Sequence, residues 1–412
     1  MKKILIITVT AGEGHNSISK ALVNKLSQNP LNKVKLVDLY KDFGSEFEVK
    51  MINDGYLLAC KLVPNIYNLI YRQLQKIKPK NRDISIVQSS VKKETPKILN
   101  CIYSFKPDVI IMPHFYPAII VTNLKKYYPI EAKTISILTD YCVHPFWESA
   151  IGVDYMITPS EDYHKLLLTK GYNENQLLSF GLPVKEEFSE TMSKQDARKE
   201  LNLDNDLTTI LIMQGGGGMG GMKKILKQLL KCKKPLQILC VNGKDEKSKL
   251  EVEKLISQNQ SNHKIINYGF INFVATAMSA SDLIIGKCGC ISVNEALNKE
   301  KPLLICTKLV EQEKSNMLYL TKNNASIYVK KPSHLVKELN NLSENKKLLD
   351  DMVSNIQKIR KPNALSDLCD FVESFDNIDY KDIKILDNNE LKLVNENIKN
   401  AKRELKKSKK VN

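Results

Sequence analysis

The sequence predicts an α/β protein built from two doubly wound domains, each a parallel sheet covered by helices. A chain of 412 residues exceeds what one hydrophobic core usually serves. Short apolar runs alternate with segments of helical spacing, a pattern typical of parallel sheets. The alternation restarts after the turn residues 181–183, which read Gly-Leu-Pro. We therefore predict a first domain over residues 1–180 and a second over residues 181–355.

The first half begins with a β-α-β unit. Residues 3–9 form a continuous apolar run, which is typical of a strand buried on both faces. A glycine-containing loop follows, then helical spacing over residues 17–26 and a strand over residues 33–39. The further predicted strands of this half are residues 108–112 and 133–139.

The second half shows the same alternation of apolar runs and segments with helical spacing. A glycine run follows its first predicted strand, and helical spacing is found over residues 223–230 and 247–258. We expect a helix over residues 356–376 to pack back on the first domain, followed by a basic polar tail over residues 377–412. The predicted strands are residues 208–213, 236–241, 264–268, 282–285 and 302–306.

The charge is large and unevenly placed. The formal net charge is +16, which suggests a polyanionic partner, either nucleic acid or an anionic membrane surface. Residues 61–97 hold nine basic residues and two acids, a balance of +7. Residues 391–412 hold eight basic residues and two acids, a balance of +6. Most of the excess therefore lies in two segments.

Other compositional features argue against several protein classes. No stretch approaches the roughly 18 apolar residues that span a bilayer, and no cleavage-like segment follows the N-terminus. The nine cysteines include no C-x-x-C pair, so reduced thiols are expected rather than a zinc site. An integral membrane protein and a secreted protein are both disfavoured.

The first loop that could carry chemistry surrounds His15. Gly12 and Gly14 allow a close backbone approach to a ligand, and the following helix N-terminus offers free N–H groups. As a dinucleotide fingerprint the loop fails at Ser17, although Asp38 stands where a ribose-binding acid belongs. His15 is either a general base or a solvated neighbour of the helix cap.

Two loops of the second half are candidate anion sites. Residues 215–221 are glycine-rich but lack the Gly-Lys-Ser/Thr ending of a nucleotide triphosphatase loop. They form either a phosphate cradle or a flexible turn. Residues 286–292 place small side chains before a helix that Ser292 can cap. Glu295, one turn later, either binds a ribose hydroxyl pair or is a favourable acid near the helix start.

Several blocks together resemble a known family. They are residues 11–16 (Ala-Gly-Glu-Gly-His-Asn), 139–147, 153–155, 180–183 and 269–316. In order and spacing they are similar to monogalactosyl- and processive diacylglycerol glycosyltransferases of glycosyltransferase family 28. These enzymes are relatives of the N-acetylglucosaminyltransferase that forms lipid II. The resemblance extends over about residues 1–360.

The resemblance implies the GT-B fold, in which two Rossmann-like domains face each other across a cleft. It also implies an inverting transfer of a hexose, glucose or galactose, from a UDP-sugar to diacylglycerol or a glycolipid, with no cofactor and no metal. His15 would be the base or would position the acceptor hydroxyl. Further residues implied at the acceptor side are Gly12, Gly14, Asn16, Asp140, His144 and Trp147.

On the donor side, Phe270 would lie at the uracil through its backbone and Glu295 would hold the ribose. Helix N-termini and Lys287 would offset the charge of the leaving diphosphate. Relatives have Pro-Gly-Gly where this chain has Cys-Gly-Cys at residues 288–290, and a second histidine where it has Phe146. The implied donor-binding set is Gly215, Gly216, Gly217, Gly218, Phe270, Lys287, Gly289, Ser292, Glu295, Gln312 and Asn316.

The resemblance to lipid glycosyltransferases suggests a role for the basic segments. Between residues 57 and 77, apolar and aromatic residues interleave with basic ones, as in a helix that lies in a membrane interface. Each basic residue near anionic lipid contributes about 1 kcal/mol. The alternative is a core-facing helix with a solvated basic side, and the tail either adds anchoring or is disordered. The predicted membrane-binding residues are Lys61, Tyr67, Tyr71, Arg72, Lys76 and Lys78.

Two rival functions stay open at this point. One is transfer of N-acetylglucosamine to a polyprenyl-diphosphate-linked intermediate. The other, of a different class, is a basic nucleic-acid-binding protein without catalysis. The confinement of charge to two segments and the missing recognition motifs favour a lipid surface over nucleic acid. We expect a peripheral enzyme on the cytoplasmic face of the cell membrane, and the oligomeric state stays undetermined.

Overall fold

The computed structural model describes residues 1–10, 13–43, 85–213, 221–306 and 309–380. Its first half contains six strands that form one sheet. They are β1 (Lys2–Thr8), β2 (Asn32–Asp38), β3 (Val109–Met112), β4 (Lys133–Ile137), β5 (Tyr155–Ile157) and β6 (Leu177–Leu178). All pairings are parallel, in the order β2-β1-β3-β4-β5-β6.

The second half forms another parallel sheet of six strands. They are β7 (Thr208–Met213), β8 (Leu236–Val241), β9 (Lys264–Tyr268), β10 (Leu283–Gly286), β11 (Leu303–Ile305) and β12 (Ser326–Tyr328). Their order is β12-β11-β10-β7-β8-β9. The two predicted doubly wound domains are present. The short strands β5, β6 and β12 were not predicted, and β6 has only two residues, too few to show a period.

Helices connect the strands and cover the sheets. Those of the first half are α1 (Glu13–Leu26), α2 (Leu39–Phe43), α3 (Ser85–Phe105), α4 (Phe115–Lys125) and α5 (His164–Thr169). The second half contains α6 (Lys194–Glu200), α7 (Met222–Leu229), α8 (Glu246–Ser257), α9 (Val274–Ala280), α10 (Cys290–Asn298), α11 (Glu311–Lys322), α12 (Leu335–Glu344), α13 (Lys346–Ile359) and α14 (Ala364–Glu373).

The apolar run of β1 explains the layering of the first domain. Successive side chains of a strand point to opposite faces. Accordingly, Ile4 and Ile6 join the core cluster that contains residues of α1 and α14, whereas Leu5 and Ile7 join the cluster that contains residues of α3 and α4. All four side chains are buried. A strand covered on both faces must be apolar at every position, which is the pattern that the sequence shows.

The chain crosses between the domains twice, and the two crossings touch. At Gly181 the backbone has φ of +95°, and an added Cβ would lie 2.4 Å from Cβ of Lys361. The predicted helix over residues 356–376 is wrong in its continuity: α13 ends at Ile359 and α14 begins at Ala364. Pro362 stands in the gap, where it cannot donate the backbone hydrogen bond of a helix interior. The residues of α14 then pack in the same core cluster as α1.

Each sheet has one position where the strand order reverses. In the first sheet this lies between β1 and β3, and in the second between β7 and β10. Ligands of open α/β sheets bind beyond the carboxyl ends of the strands at such a point. At Gly286, the end of β10, an added Cβ would lie 2.2 Å from the carbonyl oxygen of Met213, at the end of β7. The two strand ends that flank the second switch point are therefore closely packed.

Several sequence-based predictions concern residues outside the described ranges. These are Gly12, the glycines Gly215, Gly216, Gly217 and Gly218, and the membrane-binding residues Lys61, Tyr67, Tyr71, Arg72, Lys76 and Lys78. The tail lies outside them from residue 381 onward. Within the described residues, no helix is long and apolar enough to cross a membrane. The eight cysteines of the described part are all free thiols.

Candidate active site

His15 lies in the first turn of α1, beyond the end of β1. Its Nδ1 is 2.8 Å from the carbonyl oxygen of Pro113, which follows β3. A carbonyl oxygen can only accept, so Nδ1 carries the proton and Nε2 keeps its lone pair. Burial lowers the pKa of His15 to about 4. The ring is therefore neutral near pH 7 and has a nitrogen able to take up a proton.

Aromatic rings surround His15 at the carboxyl edge of the first sheet. The ring of His114 meets it edge-on, with centroids 4.5 Å apart. Phe115 follows in sequence and stacks on His144, with centroids 4.8 Å apart and the planes nearly parallel. These rings and Trp147 line a cavity of about 270 Å³. The cavity joins the predicted acceptor residues His15, His144 and Trp147.

His114 was not predicted as a site residue. It follows β3, the strand beside β1 at the switch point, and its Nδ1 accepts the N–H of Tyr116 at 3.0 Å as the cap of α4. The signal available in the sequence was its place directly after an apolar strand. His144 caps the short 3-10 helix Pro145–Ser149 in the same way, with Nδ1 accepting the N–H of Phe146 at 3.2 Å.

Asp140 lies in the same cavity, after β4. Burial raises the pKa of its carboxyl group to about 7, and a hydrogen bond from Asn316 opposes that rise. The donor, Asn316 Nδ2, is 3.4 Å away. At Asp140 the cavity of the first domain thus meets a side chain of the second.

Asn316 connects the two domains instead of facing open space. Its Oδ1 accepts the N–H of Tyr141 at 3.0 Å, and its Nδ2 donates to the carbonyl oxygen of Cys288 at 2.9 Å. The side chain is 1% exposed. Next to it, the Tyr141 hydroxyl donates to Asn294 at 2.9 Å. The polar atoms of Asn316 are therefore occupied by protein groups in this structure, whereas the resemblance implied a contact with sugar or diphosphate.

Gln312 and Gly14 also lie where the domains meet. Gln312, one turn before Asn316 on α11, lines the cavity that holds His15. An added Cβ at Gly14 would lie 3.5 Å from Cγ1 of Ile291, so the start of α1 abuts the start of α10. The His15 loop of one domain and the predicted diphosphate loop of the other are therefore neighbours. Asn16 lies on the same first turn of α1 and is half-buried.

The predicted donor loop surrounds the end of β10. Lys287, Gly289 and Ser292 line a small pocket of about 70 Å³ together with Met213. The Lys287 ammonium lies 2.7 Å from the carboxylate of Glu313, so in this structure its charge is already paired. Gly289 has open space where a Cβ would stand. The loop thus has room for a ligand, but a diphosphate would have to share Lys287 with Glu313.

Glu295 is buried on α10, and burial raises the pKa of its carboxyl group to about 7. Lys185, after the first crossing, opposes that rise through its charge. Lys185 was not singled out in the sequence, although it follows the Gly-Leu-Pro block closely. Phe270 is 68% exposed after β9, with the Lys244 ammonium 5.8 Å from its ring centroid.

A larger cavity of about 380 Å³ lies elsewhere, lined by Lys299, Lys301 and Asp282 among others. These residues precede β10 and β11, so the cavity is at the amino end of the second sheet. Because ligands of doubly wound sheets bind at the carboxyl end, the His15 cavity is the better candidate despite its smaller volume. No group of three or more His, Cys, Asp or Glu side chains in the described ranges could hold a metal ion.

Family profiles match both halves of the chain. The profile of monogalactosyldiacylglycerol (MGDG) synthase matches residues 15–184, and that of the glycosyltransferase family 28 C-terminal domain matches residues 209–368. A processive diacylglycerol beta-glucosyltransferase of Bacillus licheniformis is 27% identical over 367 residues, which are 88% of this chain and 92% of the relative.

Solved structures share the fold. MurG of Acinetobacter baumannii has a TM-score of 0.63 at 16% identity, over 91% of this chain and 100% of that chain. A UDP-GlcNAc 2-epimerase from Neisseria meningitidis bound to UDP-GlcNAc has a TM-score of 0.58 at 15% identity, over 90% of this chain and 100% of that chain. Likenesses at this identity show the fold alone, because one fold serves several reactions.

The predicted GT-B fold is thereby confirmed, and so is the family resemblance. The two family profiles match consecutive parts of the chain, each over one of the two sheets. The relatives that match over nearly the full length are glycosyltransferases by name. This chain is a glycosyltransferase and belongs to the monogalactosyldiacylglycerol synthase and processive diacylglycerol glycosyltransferase family.

Proposed function

We propose that this enzyme transfers glucose from UDP-glucose to the hydroxyl of diacylglycerol or of a glycosyl-diacylglycerol at an anionic membrane surface. The choice of sugar follows the names of relatives that are 24–27% identical. The observation that carries the proposal is the state of His15: a neutral ring with Nδ1–H held by Pro113, facing a cavity at the switch point. An acceptor hydroxyl in that cavity would meet Nε2.

In the proposed reaction the acceptor oxygen attacks the anomeric carbon of glucose and inverts it. The new C–O bond forms as the bond from that carbon to the diphosphate oxygen breaks, so the electron pair leaves with UDP. His15 Nε2 takes the hydroxyl proton. Because burial lowers the pKa of His15 to about 4, the ring is a weak base. We infer that the proton moves late, when bond formation has made the hydroxyl acidic.

The donor would bind at the carboxyl edge of the second sheet. The free N–H groups at the start of α10 suit a diphosphate, and Ser292 adds a hydroxyl. Glu295 is placed one turn further on, where a ribose hydroxyl pair could bind. We propose that no divalent ion takes part, because the helix N-terminus can offset the developing charge. Full activity in excess chelator is the expected result, and loss of activity that added Mg²⁺ restores would refute this point.

Two substitutions test the assigned roles. His15→Ala should abolish transfer and leave the affinity for UDP within a few-fold, because the ring serves the acceptor side. Glu295→Ala should weaken UDP binding by roughly tenfold, the loss of a hydrogen-bonded charged group. Calorimetric UDP titration and turnover separate the two. Retained turnover in the first variant, or unchanged UDP affinity in the second, contradicts the corresponding role.

The membrane surface is proposed from sequence composition, since residues 61–78 lie outside the described ranges. Flotation with anionic and neutral liposomes tests it, with duplex DNA as a competitor. We expect flotation with anionic vesicles that weakens as salt rises. Binding to DNA with a steep salt dependence and no flotation would instead favour the nucleic-acid alternative.

One screen decides the substrates. Labelled UDP-glucose, UDP-galactose and UDP-N-acetylglucosamine are each offered with diacylglycerol vesicles and with a polyprenyl-diphosphate-linked acceptor. The expected product is a glucosyl-diacylglycerol. Transfer of N-acetylglucosamine to the polyprenyl acceptor alone would overturn the proposal in favour of the cell-wall alternative.

A further inference from the structure

We propose that His114 donates a hydrogen bond to the acceptor substrate, and that the site selects acceptors with a second oxygen beside the attacking hydroxyl, in an O–C–C–O unit. The inference rests on the proposed function and specifies its acceptor. It follows from the protonation states of His15 and His114. In each ring a backbone group bonds to Nδ1 and thereby determines whether Nε2 carries a proton.

The tautomer of His114 is set by the cap of α4. The backbone N–H of Tyr116 donates to Nδ1 at 3.0 Å, so Nδ1 must hold a lone pair. Burial and the neighbouring imidazoles keep the pKa of His114 well below its ordinary value. The ring is therefore neutral, and its single proton is on Nε2. His114 can offer an N–H to a ligand but cannot serve as a base.

His15 has the opposite tautomer. Its Nδ1–H donates to Pro113, which leaves Nε2 as an acceptor. The two ring centroids are 4.5 Å apart, the planes are nearly perpendicular, and both rings line the same cavity. Within the described part of the chain, neither Nε2 has a protein partner. One small group in the cavity can therefore meet an acceptor nitrogen and an N–H donor together.

This pair defines the chemistry of the substrate. The attacking hydroxyl gives its proton to His15, so it cannot also donate to a neighbour. His114 needs an oxygen that accepts, close to that hydroxyl. In diacylglycerol the free hydroxyl and the adjacent ester oxygen are joined by two carbons. In a hexose the primary hydroxyl and the ring oxygen are joined in the same way. The same two rings would therefore accept both diacylglycerol and a glycosyl-diacylglycerol.

The capping of α4 uses only Nδ1 of His114 and gives no role to Nε2. A cap uses Nδ1 and contributes about 1 kcal/mol to stability, which serine would supply as well. Histidine adds an N–H on the far side of the ring, and His114 lines the same cavity as His15. His114→Ser consequently keeps the cap and removes the donor. His334, which is exposed and makes no capping hydrogen bond, offers a matched control as His334→Ser.

The first test needs no turnover. The chain has six histidines, so selective ¹⁵N-histidine labelling with long-range ¹H–¹⁵N spectra resolves each tautomer, with His114→Ser and His15→Ala giving the assignments. We expect the Nε2–H form for His114 and the Nδ1–H form for His15. An Nδ1–H form at His114 would overturn the inference, whatever the enzyme transfers.

The second test measures selectivity. The acceptors are diacylglycerol and an analogue in which a methylene replaces the ester oxygen next to the hydroxyl. We expect wild type and His334→Ser to prefer diacylglycerol by on the order of tenfold in kcat/KM, as for one lost hydrogen bond to a buried partner. His114→Ser should lose that preference and keep its UDP affinity. Equal losses on both acceptors would refute a substrate contact, whereas wild-type inactivity on both would refute the proposed function and leave the tautomer test to decide.

Discussion

Asn316→Ala should uncouple the two domains. The substitution removes an acceptor from the N–H of Tyr141 and a donor from the carbonyl oxygen of Cys288, at 3.0 and 2.9 Å. It also removes a weaker contact at 3.4 Å to Asp140. Because the site is 1% exposed, water cannot readily replace the lost partners. Two strong hydrogen bonds whose partners stay buried correspond to about 2–3 kcal/mol.

The assay is differential scanning calorimetry of the full chain. For domains of this size each kcal/mol lowers the melting temperature by about 2–4 °C, so a decrease of about 4–12 °C is expected. We also expect a single transition to split, because the lost contacts join one domain to the other. Asn323→Ala is the matched control, since among the described residues its Nδ2 bonds only to the Tyr319 carbonyl oxygen.

The same variant separates two roles for Asn316. If the side chain bound the sugar or the diphosphate, the KM for the UDP-sugar would rise and the melting behaviour would be unchanged. If the side chain joins the domains, the melting temperature decreases. A variant with the wild-type melting temperature would refute the domain-joining role and restore the donor contact that the family resemblance implies.

Two further predictions concern packing and pH. Gly286→Ala should destabilise the protein by more than about 2 kcal/mol, since its Cβ would lie 2.2 Å from the Met213 carbonyl oxygen, whereas Gly289→Ala meets open space and should be neutral in urea unfolding. Burial raises the pKa of Asp140 to about 7, so its contribution to stability is full below about pH 4 and is lost as pH rises through 7. The stability of Asp140→Asn relative to wild type should therefore rise by on the order of 4 kcal/mol between pH 4 and pH 8, and a constant difference across that range would contradict the assignment.

Periodicity predicted most of the strands because the first sheet is buried on both faces. The run over residues 3–9 must be apolar at each position, and the structure places β1 there. The loops after strands were equally readable, since parallel strands present their carboxyl ends to one edge. His15, Lys287 and Ser292 were predicted in this way, and they line cavities at these edges. The strand β6, with two residues, has no period to read.

Contacts between site residues that are distant in the sequence could not be predicted in the same way. His114 has no spacing relation to His15, and the two meet only because β3 pairs with β1. Asn316 stands at a position that the family resemblance identified, but its hydrogen-bond partner Tyr141 comes from a loop 175 residues earlier in the chain. Similarly, the pairing of Lys287 with Glu313 depends on how α11 lies against the end of β10.

The amino-acid sequence by itself therefore determined the fold class, the loops that line the candidate site, the family and the location of the basic charge. These depend on local periodicity, on residue type and on order along the chain. Only the tertiary structure decided which nitrogen of each histidine carries a proton, which carboxyl groups are neutralised and which side chains join the domains. The protonation of a side chain and its hydrogen-bond partners depend on burial and on groups distant in sequence. These groups become neighbours only when both sheets have formed.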